Sequence, residues 1–170
     1  DGFEAAAATV LGQQVSLVAS ITIIGRIVDR LAGGDPPASP GEGRPLRPFP
    51  PPGAWASLCP DDLPMPRARA EALLSAMALL ADGTIDLDQP SDPALAKARL
   101  LAVKGIGPWT VSYVAMRALR DPDQFLPTDL ALRRGLAAVG GPTDPAEIRA
   151  VADGWRPFRS YALHHLWSAA

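Results

Sequence analysis

The sequence is punctuated for helices along most of its length, and that punctuation limits what it can fold into more than any other feature. Asp92-Pro93 and Asp144-Pro145 each put a capping acid before a proline at the first helical position. There the fixed φ of proline suits the helix, and its missing N–H would have had no intrahelical partner. In the second case Glu147 follows Asp144 at the third helical position, a further N-terminal signal. Gly33-Gly34, Gly83 and Gly140-Gly141 stop the runs between starts. Helices are predicted from Phe3 to Leu11, interrupted at Gly12-Gln13-Gln14, and from Val15 to Leu31, where Val18, Ile21, Ile24, Val28 and Leu31 share one face. Further helices are predicted over Arg67–Ala81, from Asp92 to about Val103, from Pro108 past Leu119, from Asp129 to Val139, after Asp144, and over Phe158–Trp167. Ala54 to Leu58 reads as a short turn. No segment alternates as a half-buried strand does. The expected class is all-α, about eight helices in one or two small lobes over residues 1–170, with a Pro/Gly-rich loop at 33–53 that holds eight prolines between Asp35 and Gly53.

A core is affordable on composition, since 48% of the 170 residues are hydrophobic. The most apolar run, Val15 to Ile24, contains Ser16, Ser20 and Thr22 and falls well short of the roughly 20 apolar residues a membrane helix requires, so no membrane partner is expected. Cys59 is the single cysteine, which excludes an internal disulfide and a four-cysteine iron–sulfur cluster. With no basic segment leading an apolar one at the start, a reducing cytoplasm is the expected setting. The net charge of −2 hides an uneven distribution. Between Ala94 and Leu136, Lys97, Arg99, Lys104, Arg117, Arg120, Arg133 and Arg134 face only Asp121, Asp123 and Asp129. Such a stretch is either a solvated helix surface or the footprint of a polyanion.

Chemistry concentrates in three places. Leu101 to Thr110 reads as two helices joined by Lys104-Gly105-Ile106-Gly107, a hairpin (101–110) whose second helix would present backbone N–H groups to a phosphate oxygen. The glycines permit positive φ and close approach, and Ile106 between them can anchor the turn inward. The same pattern also suits a plain helical hairpin. Next, Leu126-Pro127-Thr128-Asp129-Leu130 places an acid at a helix start, where it acts as an N-cap and where the helix field favours its charged form. Third, Trp109 and Tyr113 are four apart on one helix, and Trp155, Tyr161 and Trp167 cluster near the C-terminus. Rings at that spacing belong to a core or to a pocket for a flat, electron-poor base.

Gly-Ile-Gly-Pro-Trp-Thr at 105–110, Pro-Thr-Asp at 127–129, the segment from Trp155 to Trp167 and the opening Phe3-Glu4-Ala5-Ala6 with Leu11-Gly12-Gln13-Gln14-Val15-Ser16 together resemble the 3-methyladenine DNA glycosylase II family of the helix–hairpin–helix superfamily. The resemblance runs from Phe3 to Trp167 and implies that fold, with the active site in a cleft. It implies Asp129 as the essential carboxylate, Trp109, Tyr113 and Trp167 as aromatic pocket residues, and Gln13 as a pocket-lining glutamine. Gln14 falls where some members insert an apolar wedge into the gap left by the flipped base, and a glutamine there is a departure. Gln14, Lys104, Gly105, Gly107, Thr110, Arg133 and Arg134 are expected on DNA. Backbone carbonyls of Leu101, Val103 and Ile106 would hold a monovalent cation, Na+ or K+, and no cofactor is otherwise expected. Trp109 stands where members that also cut the backbone carry a lysine, so the resemblance implies a monofunctional enzyme.

The expected reaction is hydrolysis of the N-glycosidic bond of an alkylated purine in damaged double-stranded DNA, at the bacterial nucleoid. Many family members carry an N-terminal lobe, and some a fused alkyl-transfer module, so either is expected in a full-length protein. His164 and His165 are read as structural or surface residues. The competing readings are a non-catalytic hairpin module for DNA, a helical protein-interaction domain, and a mismatch adenine or uracil glycosylase on the same scaffold.

Overall fold

The computed structural model describes residues 1–13, 15–32 and 47–170; Gln14 and most of the 33–53 loop lie outside the described residues. Eight α-helices and two short 3-10 helices account for the regular structure among the described residues, with no strand. The chain divides into two compact units, Asp1–Ile106 and Gly107–Ala170.

The first unit contains α1 (Gly2–Leu11), α2 (Leu17–Leu31), 3-10 helices at Pro52–Ser57 and Pro60–Asp62, α3 (Arg67–Ala81) and α4 (Pro93–Ala102). Side chains cap the starts of α1, α2 and α4. Asp1 accepts the Glu4 N–H at 2.7 Å, Ser16 accepts that of Ala19 at 3.2 Å, and Asp92 accepts those of Ala94 and Leu95 at 2.9 and 3.1 Å. Helix α3 is the centre of this unit. Its Ala70, Leu73, Ala76 and Met77 are buried, as are Ala6, Ala7, Val10 and Leu11 of the neighbouring α1. Alanines on both helices permit close packing without large side chains between them. Phe3 and Phe49 both lie against Trp55, at 5.8 Å edge-on and 5.7 Å stacked, and extend the core toward the first 3-10 helix. The sequence reads only a short turn there.

Helix α2 departs from expectation. It starts at Leu17, because Ser16 caps it, and its buried residues include Ser20, Ile27 and Asp29. Val18 and Ile21, the first two residues of the expected apolar face, are 75% and 61% exposed. The helical period was right, but among the described residues its N-terminal half turns that face to solvent. No helix among the described residues is long and apolar enough to cross a membrane.

The second unit contains α5 (Pro108–Arg117), α6 (Leu130–Ala138), α7 (Pro145–Asp153) and α8 (Arg159–Ser168). Leu126, Leu132, Leu136, Ile148 and Leu163 form its core, with Met116 and Leu166 at the margin. Asp144 caps α7 through the Ala146 and Glu147 N–H groups. Helices α6 and α8 meet at backbone distance. A Cβ on Gly135 would lie 2.0 Å from the Leu166 carbonyl oxygen, so only glycine fits that crossing.

Two ties join the start of α8 to the loop before α6. The Ser160 backbone N–H donates to the Pro122 carbonyl at 2.9 Å, and the Ser160 hydroxyl accepts the Gln124 N–H at 2.9 Å. Arg159 grips both carboxylate oxygens of Asp123, at 2.6 and 2.9 Å, and Arg156 adds a bond at 2.7 Å. Hydrogen bonding to Arg159 is the main reason the Asp123 carboxyl is held below the usual carboxylate range, with the charges of Arg159 and Arg156 adding to it.

Candidate active site

Asp129 is the N-cap of α6, as the sequence predicts, and the Leu132 N–H donates to its Oδ2 at 2.8 Å. A second donor reaches the same oxygen. The indole Nε1–H of Trp167, from the far end of α8, donates to Oδ2 at 2.8 Å. Oδ2 therefore accepts two hydrogen bonds. Among the described residues nothing donates to Oδ1. The residue is half-buried.

The three expected pocket aromatics are brought together beside this carboxylate. Trp109 and Tyr113 stack at 5.2 Å with 19° between their planes, as their spacing on α5 allows. Tyr113 in turn lies 5.8 Å from Trp167 at 36°. A base sandwiched between two rings needs about two van der Waals separations of roughly 3.5 Å. The Tyr113–Trp167 spacing is smaller than that, so these rings touch each other and leave no slot between them. Trp155, in contrast, packs edge-on against Phe125 at 6.1 Å, and Tyr161 is 62% exposed beside Phe158; both aromatics stand apart from this cluster.

Two side chains join the site that the sequence reading did not assign to it. The Arg117 guanidinium lies over the Tyr113 ring, 5.6 Å from its centroid, and donates to the Tyr113 hydroxyl at 3.4 Å. Its position four residues after Tyr113 puts the two side chains on one helix face, a signal legible in the sequence. His164 sets its ring edge-on to Trp167 at 5.2 Å. Burial lowers the His164 pKa, and the nearby charges of Arg117 and His165 lower it further. A neutral imidazole against the indole fits the expected structural role.

The hairpin forms at the expected residues. Helix α4 ends at Val103, whose carbonyl accepts the Ile106 N–H at 3.0 Å, and Gly105 turns the chain at φ +94°. Val103 and Ile106 are buried, whereas Leu101, Lys104 and Gly105 are exposed. A Cβ on Gly105 would also press on Ala72 Cβ at 2.8 Å. Helix α5 then begins with no side-chain cap, because Gly107 has none to offer and Pro108 has no N–H.

Thr110, expected on DNA, is buried in α5 at 4% exposure. Arg133 and Arg134 are exposed on α6 and, with Lys104, have no ion-pair partner among the described residues. In the first unit, the Arg69 guanidinium donates to the Gln13 carbonyl at 2.8 Å and holds that backbone in place. The expectation for Gln14 lies outside the described residues. No group of His, Cys, Asp or Glu able to hold a metal ion occurs among the described residues.

The chain is 39% identical over 168 residues to a Mycobacterium tuberculosis protein described as a "probable bifunctional transcriptional activator/DNA repair enzyme AlkA", covering 99% of this chain and 33% of that protein. It is 34% identical over 186 residues to the DNA-3-methyladenine glycosylase 2 of Escherichia coli, covering 98% of this chain and 57% of the relative. The chain thus spans a third to rather more than half of these relatives. No family model matches it. Among solved structures, the 3-methyladenine DNA-glycosylase of Archaeoglobus fulgidus superposes with a TM-score of 0.76 at 24% identity, over 98% of this chain and 57% of the other. Over nearly its whole length the chain is similar in sequence to part of the DNA-3-methyladenine glycosylases, and it shares the helix–hairpin–helix glycosylase fold.

Proposed function

We propose that this chain is the catalytic part of a monofunctional DNA glycosylase that hydrolyses the N-glycosidic bond of alkylated purines, of the 3-methyladenine type, in double-stranded DNA at the nucleoid. The observation that carries the reading is the Asp129 carboxylate, held through Oδ2 by two donors while Oδ1 is left open beside the Trp109–Tyr113–Trp167 cluster. The names of the curated relatives support the lesion class.

The chemistry follows from charge. A nucleotide flips out of the duplex at a cost of a few kcal/mol, least where the lesion pairs poorly. As the glycosidic bond breaks, the base leaves with the bonding electron pair and the sugar becomes an oxocarbenium-like cation. Oδ1 of Asp129 faces that developing charge and stabilises it, and it accepts a proton from the water that adds to the sugar carbon. An alkylated purine leaves already neutral, so no strong general acid is required. The Trp109–Tyr113–Trp167 cluster offers electron-rich ring surface that attracts a cationic base.

Phosphate contacts fall to the uncapped start of α5 at Gly107, to Lys104 and Gly105 in the turn, and to Arg133 and Arg134. The carbonyls of Leu101, Val103 and Ile106 would hold Na+ or K+ against the same phosphate. Val103 is compatible with this, because the Ile106 N–H occupies only one of its two lone pairs. A non-catalytic DNA module would account for the hairpin but not for a carboxylate hydrogen-bonded to one ring of a three-ring cluster.

The test is base release from methylated DNA by the wild type and Asp129→Asn, with the product identified chromatographically. Asparagine still caps α6, so the variant is expected to fold and bind DNA while losing at least about 100-fold in rate. Turnover near the wild-type rate in the variant would sink the assignment.

A further inference from the structure

We infer that Trp167 serves the reaction through Asp129: it is a positioning residue that decides which carboxylate oxygen does the work. The inference rests on the glycosylase reading above and deepens it.

A capping aspartate is only partly constrained. Its last torsion joins an sp³ to an sp² carbon and is broad, so a carboxylate held by one backbone N–H can rock and exchange its two oxygens. Here the Leu132 N–H and the Trp167 indole converge on Oδ2 from different helices, both at 2.8 Å. Together they define the plane of the carboxylate and leave Oδ1 without a donor. The indole itself has little freedom. Tyr113 lies along it at 5.8 Å and the His164 ring abuts it edge-on at 5.2 Å. The preceding residue, Leu166, contributes its carbonyl to the glycine-only crossing at Gly135. A side chain packed against two neighbouring rings, with its one polar atom spent on the carboxylate, is built as a support.

The experiment compares single-turnover base release with affinity for abasic-site duplex in the wild type, Trp167→Phe, Trp167→His and Asp129→Asn. Phenylalanine keeps a flat ring and removes the N–H. The expected result is a rate about tenfold lower or worse with abasic-duplex affinity unchanged, because a hydrogen bond to a charged group is lost while DNA contacts remain. Histidine restores a ring N–H and is expected to recover part of the rate. A Trp167→Phe rate within threefold of wild type overturns the inference, as does a loss that lies wholly in DNA affinity. One further readout needs no Trp167 variant. In nitrogen-15 spectra of the four tryptophans, the Trp167 indole N–H is expected to shift when Asp129 becomes alanine while the others stay in place; an unmoved resonance overturns the inference. Normal turnover by Asp129→Asn removes the glycosylase reading itself. An inert Asp129→Asn beside a fully active Trp167→Phe removes only the positioning role.

Discussion

Gly135→Ala tests the architecture of the site at its most sensitive point. In an exposed helix this change stabilises, since alanine is favoured over glycine by about 1 kcal/mol in a helix interior. In α6 the added Cβ would lie 2.0 Å from the Leu166 carbonyl oxygen, 2.7 Å from its carbonyl carbon and 3.1 Å from its Cα. All three are backbone atoms, so no rotamer change relieves the clash and α8 must move by about 1 Å to reach a van der Waals separation. Overpacking of this kind costs about 1–3 kcal/mol. With backbone on the receiving side we take the upper end, which leaves about 2 kcal/mol of net destabilisation after the propensity gain. For a chain of this size that corresponds to a fall in Tm of about 4–8 °C. The same movement stretches the 2.8 Å bond from Trp167 to Asp129, so base release should slow even at temperatures where the variant is fully folded. The assays are thermal unfolding and single-turnover base release at 20 °C, with Gly53→Ala as control, because a Cβ there meets nothing within 4 Å. A Gly135→Ala protein as stable as wild type would refute the reasoning, since it would mean the two helices are not in backbone contact.

Other expectations follow from the same geometry. Asp123 has a lowered folded pKa, so its stabilising contribution is present above the ordinary value of 3.8 and is lost as pH falls through the lower folded value. Asp123→Asn should therefore lower Tm at pH 7 and flatten the dependence of Tm on pH below about pH 4, and a full-strength acid transition in the variant would contradict the assignment. Arg133→Ala and Arg134→Ala should each weaken DNA binding and reduce the slope of log affinity against log salt by about 1, if each contacts one phosphate; an unchanged slope for both would remove α6 from the interface. Borohydride should trap no covalent enzyme–DNA adduct, and efficient trapping would point to Lys104 as a lyase nucleophile.

Much of the fold could be read from the chain because its helix starts are written in short-range chemistry. Asp92-Pro93, Asp144-Pro145 and Asp129 each act within three residues of themselves, and each caps the helix expected of it. What could not be read depends on partners distant in sequence. Gly135 looks like a weak spot in a helix until Leu166 is placed against it. Val18 and Ile21 have the spacing of a buried face, but periodicity cannot tell which side of a helix has a neighbour. The aromatics illustrate both cases. Trp109 with Tyr113 follows from helical spacing on one element, whereas the donation from Trp167 to Asp129 spans 38 residues and leaves no local mark.

The last point bears on how an N-cap can serve as the proposed catalytic carboxylate. A capping carboxylate is committed to the backbone, and a catalytic one must be free to meet charge elsewhere. The two demands conflict only if they fall on the same oxygen. At Asp129 the cap bond to Leu132 and the bond from Trp167 both fall on Oδ2. The structural duty is thereby concentrated on one atom and Oδ1 is released from it. The field at the start of α6 stabilises negative charge on the whole group. Holding that group in place therefore depends on α8 at both ends: Arg159 and Ser160 clasp the loop at 121–124 that leads to Asp129, and Trp167 holds the carboxylate itself. On this argument the stability of the α6–α8 pair and the reactivity of Oδ1 are two consequences of one packing arrangement. Changes far from any DNA contact, at Gly135 or Asp123, should therefore reach the rate of base release.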